Sequence, residues 1–328
     1  MPRYLCLILL LAMLPLLCQC DPDEGANGPW RHRLYTPTHF TKLDDTWIIV
    51  DCWHHRILYS EVPDPDLNNW FTITEHIGGP HSVATDGEVV VYEDTGHGNL
   101  RGARVKLMEN FLTERRDYAE EYQIVLNVGI RPHRVRYDEH MQSFYALASQ
   151  SQEIVRVTND LGNLTAKHRQ YLPFLNEAYT RSMTIIDGHM FFVTRAHGII
   201  EATYRDDDYE LVRRHPMPEL LNDMNDVFRS EAGWYYATGA PRGIVRARSL
   251  EDISAGQFED LYQVLGLDSV PYYLSQVDGR IYLTHVGENN GVITFRDAET
   301  GPIFDIDSIY DFGPAEPPDI WRRDQIPR

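Results

Sequence analysis

Along this chain a short alternating run followed by a very apolar run returns about every 40 to 50 residues. The copies are Phe40-Thr41-Lys42-Leu43-Asp44-Asp45 before Trp47-Ile48-Ile49-Val50-Asp51, His81 to Gly87 before Val89-Val90-Val91-Tyr92, and His133 to Asp138 before Phe144-Tyr145-Ala146-Leu147. Three more follow: Arg181 to Gly188 before Met190-Phe191-Phe192-Val193, Asn225 to Gly233 before Trp234-Tyr235-Tyr236-Ala237, and Tyr273 to Gly279 before Ile281-Tyr282-Leu283-Thr284. The apolar runs are β-branched and aromatic, as suits strands buried on both faces, and the Asp-Gly pairs between runs mark tight hairpins.

A polar loop and a third strand follow each pair, and fourth strands can be drawn at Trp70 to Ile77, Tyr122 to Val128 and Tyr209 to Arg213. The pattern therefore predicts an all-β chain, a six-bladed β-propeller of four-stranded antiparallel blades spanning residues 21–313. Val90, Tyr145, Phe191, Tyr235 and Tyr282 are expected to be buried between blades. Helical spacing is weak except at Met108 to Tyr122, read as a helical insertion in blade two. His32 to Tyr35 is expected to latch the ring by pairing with Val292 to Phe295 in blade six, with Ile303 to Ile306 as the alternative partner.

Residues 1–20 read as a signal peptide, with Arg3 ahead of an apolar stretch from Leu5 to Leu17, cut after Cys20. The rival reading is a lipoprotein acylated at Cys18 or Cys20. Either places the protein outside the cytoplasm, secreted or periplasmic, or anchored at the cell surface by lipid. No later stretch is long and apolar enough to span a bilayer. Three of the 4 cysteines lie in the leader, so Cys52 is a buried thiol or the partner of a retained Cys20. A formal charge of -19 repels a phosphate backbone, which argues against nucleic acid as a partner. Residues 314–328, rich in proline and charge, read as an extended tail, and a monomer is expected.

Ile49-Val50-Asp51-Cys52-Trp53-His54-His55-Arg56-Ile57-Leu58 resembles the strand, loop and strand signature of NHL-type repeats, and Glu93-Asp94 to Leu100 resembles it in part. The resemblance implies the propeller and little about function, because related six-bladed folds include lyases, lactonases and binding modules. Secreted amidating lyases related to NHL proteins bind a metal through histidines at the channel mouth. The Pro80-His81 and Pro132-His133 pairs are similar to that arrangement, whereas blades four to six offer Arg181, Asn225 and Tyr273.

In a propeller, the start of each innermost strand and the loop between its second and third strands open on one end of the ring. That register gathers His39 beside Phe40, His81, His133, Arg181, Asn225 and Tyr273 around the channel. The loops add Trp53, His54, His55, Asp94, His97, Arg195, His197, Arg242, His285 and Glu288. A divalent metal, zinc or calcium, is the candidate cofactor; neutral imidazoles suit zinc, and the candidate ligands are His81, His133, His39, His197 and His285. Arg181, Arg195 and Arg242 offer guanidinium forks for a carboxylate or sulfate. His133 and Tyr273 beside such a fork could move a proton, with Arg181 as the third catalytic candidate. His81, Asn225, Arg195, Arg242 and Trp53 are the ligand-binding candidates.

Asp206-Asp207-Asp208 reads as a solvated turn and not a calcium loop, and Asn163-Leu164-Thr165 meets the glycosylation rule. No phosphate-binding glycine loop, serine-hydrolase elbow or cysteine zinc spacing occurs. Two functions follow: metal-assisted lyase or hydrolase chemistry on a small or oligomeric anion at the channel mouth, or non-catalytic binding of a protein or glycan.

Overall fold

A computed structural model describes residues 32–311, except 76, 122, 177 and 196. The leader, the cysteines within it and the tail lie outside the described residues. Six four-stranded antiparallel sheets form, each from one contiguous stretch of chain in the order first, second, third, fourth strand. The first strands are β1 (Pro37–Leu43), β5 (Val83–Thr85), β9 (Pro132–Asp138), β13 (Thr180–Ile186), β17 (Asp223–Arg229) and β21 (Val270–Val277). They touch one another in that order and β21 touches β1, so they line the channel.

The second strands are β2 (Thr46–Asp51), β6 (Val89–Asp94), β10 (Ser143–Ala148), β14 (His189–Thr194), β18 (Tyr235–Ala240) and β22 (Arg280–Val286). Their unbroken apolar runs have a direct cause, because both faces pack on a neighbouring blade. Ile48 and Val50 join a core with blade two, whereas Trp47 and Ile49 join one with blade six. Six such cores result, one at each junction. Asp187-Gly188 and Asp278-Gly279 turn the hairpins with positive φ at both residues, which suits the right-handed twist of the flanking strands.

Val90, Tyr145, Phe191 and Tyr282 are buried as expected. Tyr235 is only half-buried. It begins its strand at the rim opposite Arg229, whose guanidinium lies 5.5 Å from its ring, and Tyr236 takes the interior position. The insertion in blade two is α1 (Val105–Glu114), shorter than the expected span. Arg115 turns left-handed, φ 54, and ends it. The chain then passes along blade one without forming a strand, and Tyr118 N–H donates to Thr72 O at 2.6 Å.

The latch is a correction. The fourth strand of blade six is β24 (Phe304–Asp311), paired with β23 (Gly291–Arg296), while residues 32–35 form no strand. The ring closes through side chains instead. Phe40 sits among Trp47, Trp70, Tyr282 and Tyr310, with ring centroids 5.2 to 6.3 Å apart. Thr284 Oγ1 donates to Thr38 O at 3.0 Å, and Ser275 Oγ donates to Phe40 O at 2.5 Å.

Candidate functional site

A β-bulge recurs where five of the first strands begin: the register slips at Thr38, His133, Arg181, Asn225 and the Tyr272-Tyr273 pair. Bulges re-aim side chains, here around the channel mouth. His81 lies just ahead of β5, at the corresponding place in blade two. The next residue inward forms a second layer of His39, Ser82, Arg134, Ser182, Asp226 and Tyr273. His39 therefore sits one layer deeper than the sequence register placed it.

His81 and His133 meet, with ring centroids 4.0 Å apart. Thr95 Oγ1 donates to Pro132 O at 2.6 Å, so its lone pairs accept from His81 Nδ1 at 3.3 Å. His81 Nε2 is then an acceptor and faces the Cys52 thiol at 3.9 Å. Cys52 is free and buried, and burial beside Asp51 and Glu93 pushes its pKa up, which keeps it a neutral thiol. His133 Nε2 pairs closely with the Tyr179 hydroxyl, while its buried Nδ1 has no partner among the described residues. Burial, with Arg131 and Arg181 nearby, pulls His81 down to about 3 and lowers His133 well below the usual range. Both rings are therefore neutral at ordinary pH.

The polar rim is basic. Arg181 donates to Asn225 Oδ1 at 2.6 Å and pairs with Asp223 at 3.2 Å, and exposed Arg195 shares that carboxylate at 3.3 Å. Asn225 in turn donates to Pro271 O at 2.7 Å. Arg131 is exposed beside the two histidines. The floor is closed. Tyr273 crosses from blade six and donates to Arg181 O at 3.0 Å, and the Arg134 guanidinium lies 3.8 Å from its ring. Tyr273 and Arg134 are both almost wholly buried and fill the channel beneath the two histidines, so the cup is the ring of mouth residues above them.

Other sequence candidates lie elsewhere or serve the fold. His285 is bound to Ser269 at 2.6 Å, His197 is exposed, and Arg242 lies 5.8 Å from the Tyr262 ring. Trp53 is exposed at the rim, edge-on to His55. His54 and Arg56 bind the buried Asp51 carboxylate, which also accepts Tyr35 and Thr36 N–H, so the NHL-like motif anchors the chain entering β1. Asp94 repeats the device with His97, Arg101 and Gly78 N–H. Asp207 pairs with Arg156 at 2.6 Å.

Among the described residues no three His, Cys, Asp or Glu side chains are arranged to hold a metal ion. The five histidines of the sequence reading do not converge, and His39 Nδ1 already accepts Val83 N–H at 3.3 Å. The residues present thus do not fit the metal centre, and no chemistry is derived through one. Sequence reasoning missed Tyr179, Thr95 and Arg134. Tyr179 could have been found by its place two residues before Arg181; Arg134 looked like an ordinary polar residue in an alternating strand.

The class defined here is a six-bladed β-propeller with two buried histidines and several arginines at one end of its channel. No known family and no curated protein sequence matches the chain. Solved structures match by shape. A candidate 6-phosphogluconolactonase from Bacteroides uniformis has a TM-score of 0.57 at 12% identity, covering 83% of this chain and 84% of its own. One from Bacteroides fragilis gives 0.55 at 12%, covering 84% and 86%. A streptogramin B lyase gives 0.56 at 13%, covering 83% and 82%. At such identity the likeness is one of fold.

Proposed function

We propose that the cup is an acid–base site for a small anionic molecule, with the chemistry of a lyase or hydrolase. The observation that carries this is His133, whose buried Nδ1 is unpaired while Nε2 is held by Tyr179. When Nε2 keeps its proton and donates it to the phenol oxygen, Nδ1 carries a bare lone pair, which a bound molecule reaches once the surrounding side chains give way, since this nitrogen is buried. When Tyr179 donates instead, Nδ1 carries the proton. A proton taken at Nδ1 makes the ring an imidazolium whose Nε2–H still donates to the phenol oxygen, and Nδ1 can return that proton at a later stage. Arg131, Arg181 and Arg195 attract the anion, and the closed floor favours a small ligand over a threaded polymer. A bound carboxylate would also offset the positive charges that depress His133, bringing it nearer to working range. Fold neighbours named as lactonase and lyase are in keeping with bond cleavage. The apolar leader at residues 1–20 supports action outside the cytoplasm.

The test is turnover of small lactones, amides and uronates by the full chain and its variants. His133→Ala and Tyr179→Phe should each lose about 10²-fold or more in kcat, while Arg181→Ala should chiefly raise KM. Equal turnover by the first two variants would sink the acid–base reading. Saturable binding without any chemical change would favour the non-catalytic alternative, for which exposed Trp53 is the natural platform.

A further inference from the structure

The three largest fully buried side chains are arginines, Arg56, Arg134 and Arg246. A buried guanidinium is costly unless its charge and its N–H groups are met. Arg56 follows that rule, and Arg246 follows it except at Nη1, which has no acceptor among the described residues. Arg56 donates to Asp51 at 2.9 and 3.0 Å and also binds Arg33 O. Arg246 donates to Glu259 at 2.8 Å and to Gly301 O at 2.7 Å, stacked over Trp234.

Arg134 departs from it. Nε, Nη1 and Nη2 all lack a hydrogen-bond acceptor among the described residues, and the Asp226 carboxylate stands off at 3.6 Å. That carboxylate already accepts Ser182 Oγ at 2.8 Å and Leu274 N–H at 3.2 Å. Glu93, the other acid near Arg134, is bound by the Ser82 amide and hydroxyl. His39 Nδ1 accepts Val83 N–H, so its ring proton is on Nε2, and this buried nitrogen too lacks an acceptor. Arg136 Nε is in the same condition. These unmet nitrogens of Arg134, His39 and Arg136 are all donors. A ligand that only accepts hydrogen bonds matches such a lining, whereas water must also place its own protons.

We infer that the middle of the channel, between the buried Arg134 and His39 and the partly buried Arg136, binds a small inorganic anion of halide size held by these three side chains. Titration directions agree with two cations beside His39: burial, then Arg134 and Arg136, depress His39, and burial with Arg134 brings Arg136 down to about 9 against the opposing pull of Asp226 and Glu93. Because Tyr273 and Arg134 form the floor of the cup, this ion lies below the mouth and does not depend on its chemistry.

The experiment uses the full chain dialysed into sodium methanesulfonate and titrated with chloride or bromide at constant ionic strength. Thermal midpoints should rise saturably, by about 3 °C at tenfold excess over the dissociation constant. Crystals grown with bromide should show an anomalous peak in contact with the Arg134 guanidinium. Arg134→Met should abolish the halide response, and His39→Asn should weaken it severalfold. A midpoint indifferent to halide, or bromide peaks only at the mouth or surface, would overturn the inference in favour of water. Should Arg134→Met fail to fold, the bromide map of the wild-type chain still decides.

Discussion

Asp51→Asn tests how the fold anchors its first blade. The carboxylate is fully buried and receives Arg56 at 2.9 and 3.0 Å, His54 at 2.5 Å, and the amides of Tyr35 and Thr36 at 3.0 and 2.9 Å. Asparagine keeps the shape but supplies one acceptor atom and no charge. Arg56, only 2% exposed, then remains an uncompensated cation that water cannot reach. Breaking such a pair costs about 3–5 kcal/mol, which for a ring of this size lowers Tm by roughly 10 °C. Asp94→Asn should cost about half as much, because Arg101 is 19% exposed and also pairs with Glu120 at 3.1 Å. The assay is urea unfolding followed by tryptophan fluorescence, with an unchanged slope and a lowered midpoint. Adding Arg56→Met to Asp51→Asn should recover part of the loss by removing the stranded charge. The pH profile gives a second check. Burial alone would raise Asp51, but His54 and Arg56 outweigh it and hold its pKa well below the usual carboxylate range. Its contribution is therefore complete above the unfolded value near 4 and lost as pH falls below it, a limb the variant should lack. A loss under about 1 kcal/mol, or a larger effect at Asp94, would refute this account.

Two further outcomes follow from the same structure. Phe40→Ala, at the centre of the junction between blades one and six, should cost about 3–5 kcal/mol and unfold the ring as a unit; a local loss of signal with an unchanged global midpoint would contradict closure through that core. His81 is neutral when folded down to about 3 but protonates near 6.5 when unfolded, so its contribution is full above pH 6.5 and lost as pH falls through that window. His81→Gln should flatten the fall in stability between pH 6 and 4 by up to about 1.4 kcal/mol per pH unit, measured by urea melts.

The blades were legible because the second strands are buried on both sides, which leaves an apolar run with few alternatives. Each expected start, from Trp47 to Ile281, falls within one residue of the observed strand. The closing strand was not legible for the opposite reason. An outer strand is half solvated, and β24 carries Phe304 and Ile306 exposed between acidic residues, so its pattern is no stronger than that of residues 32–35. At the mouth, shared register brought His81, His133, Arg181 and Asn225 to one end of the channel, whereas Tyr273, like His39, lies one layer deeper than the sequence register placed it. Register could not separate chemistry from anchoring: His54 and His97 each follow an aspartate by three residues and are spent on it. Nor could it show that Arg134, next to His133, turns inward to meet a tyrosine from the opposite blade.

Because no strand is shared between blades, every strand pairing in the ring lies within one continuous stretch of chain. New chain ends could be opened in any of the linkers between blades, and the old ends joined, without separating a single pair of hydrogen-bonded strands. Duplicating or removing a whole blade would likewise leave each sheet complete. What such a rearrangement must re-match is the side-chain fit at the altered junction, and the channel contacts that cross from one blade to another, of which Tyr273 makes the longest reach. The architecture therefore permits modular change at its circumference while its axis, where distant blades touch, resists it.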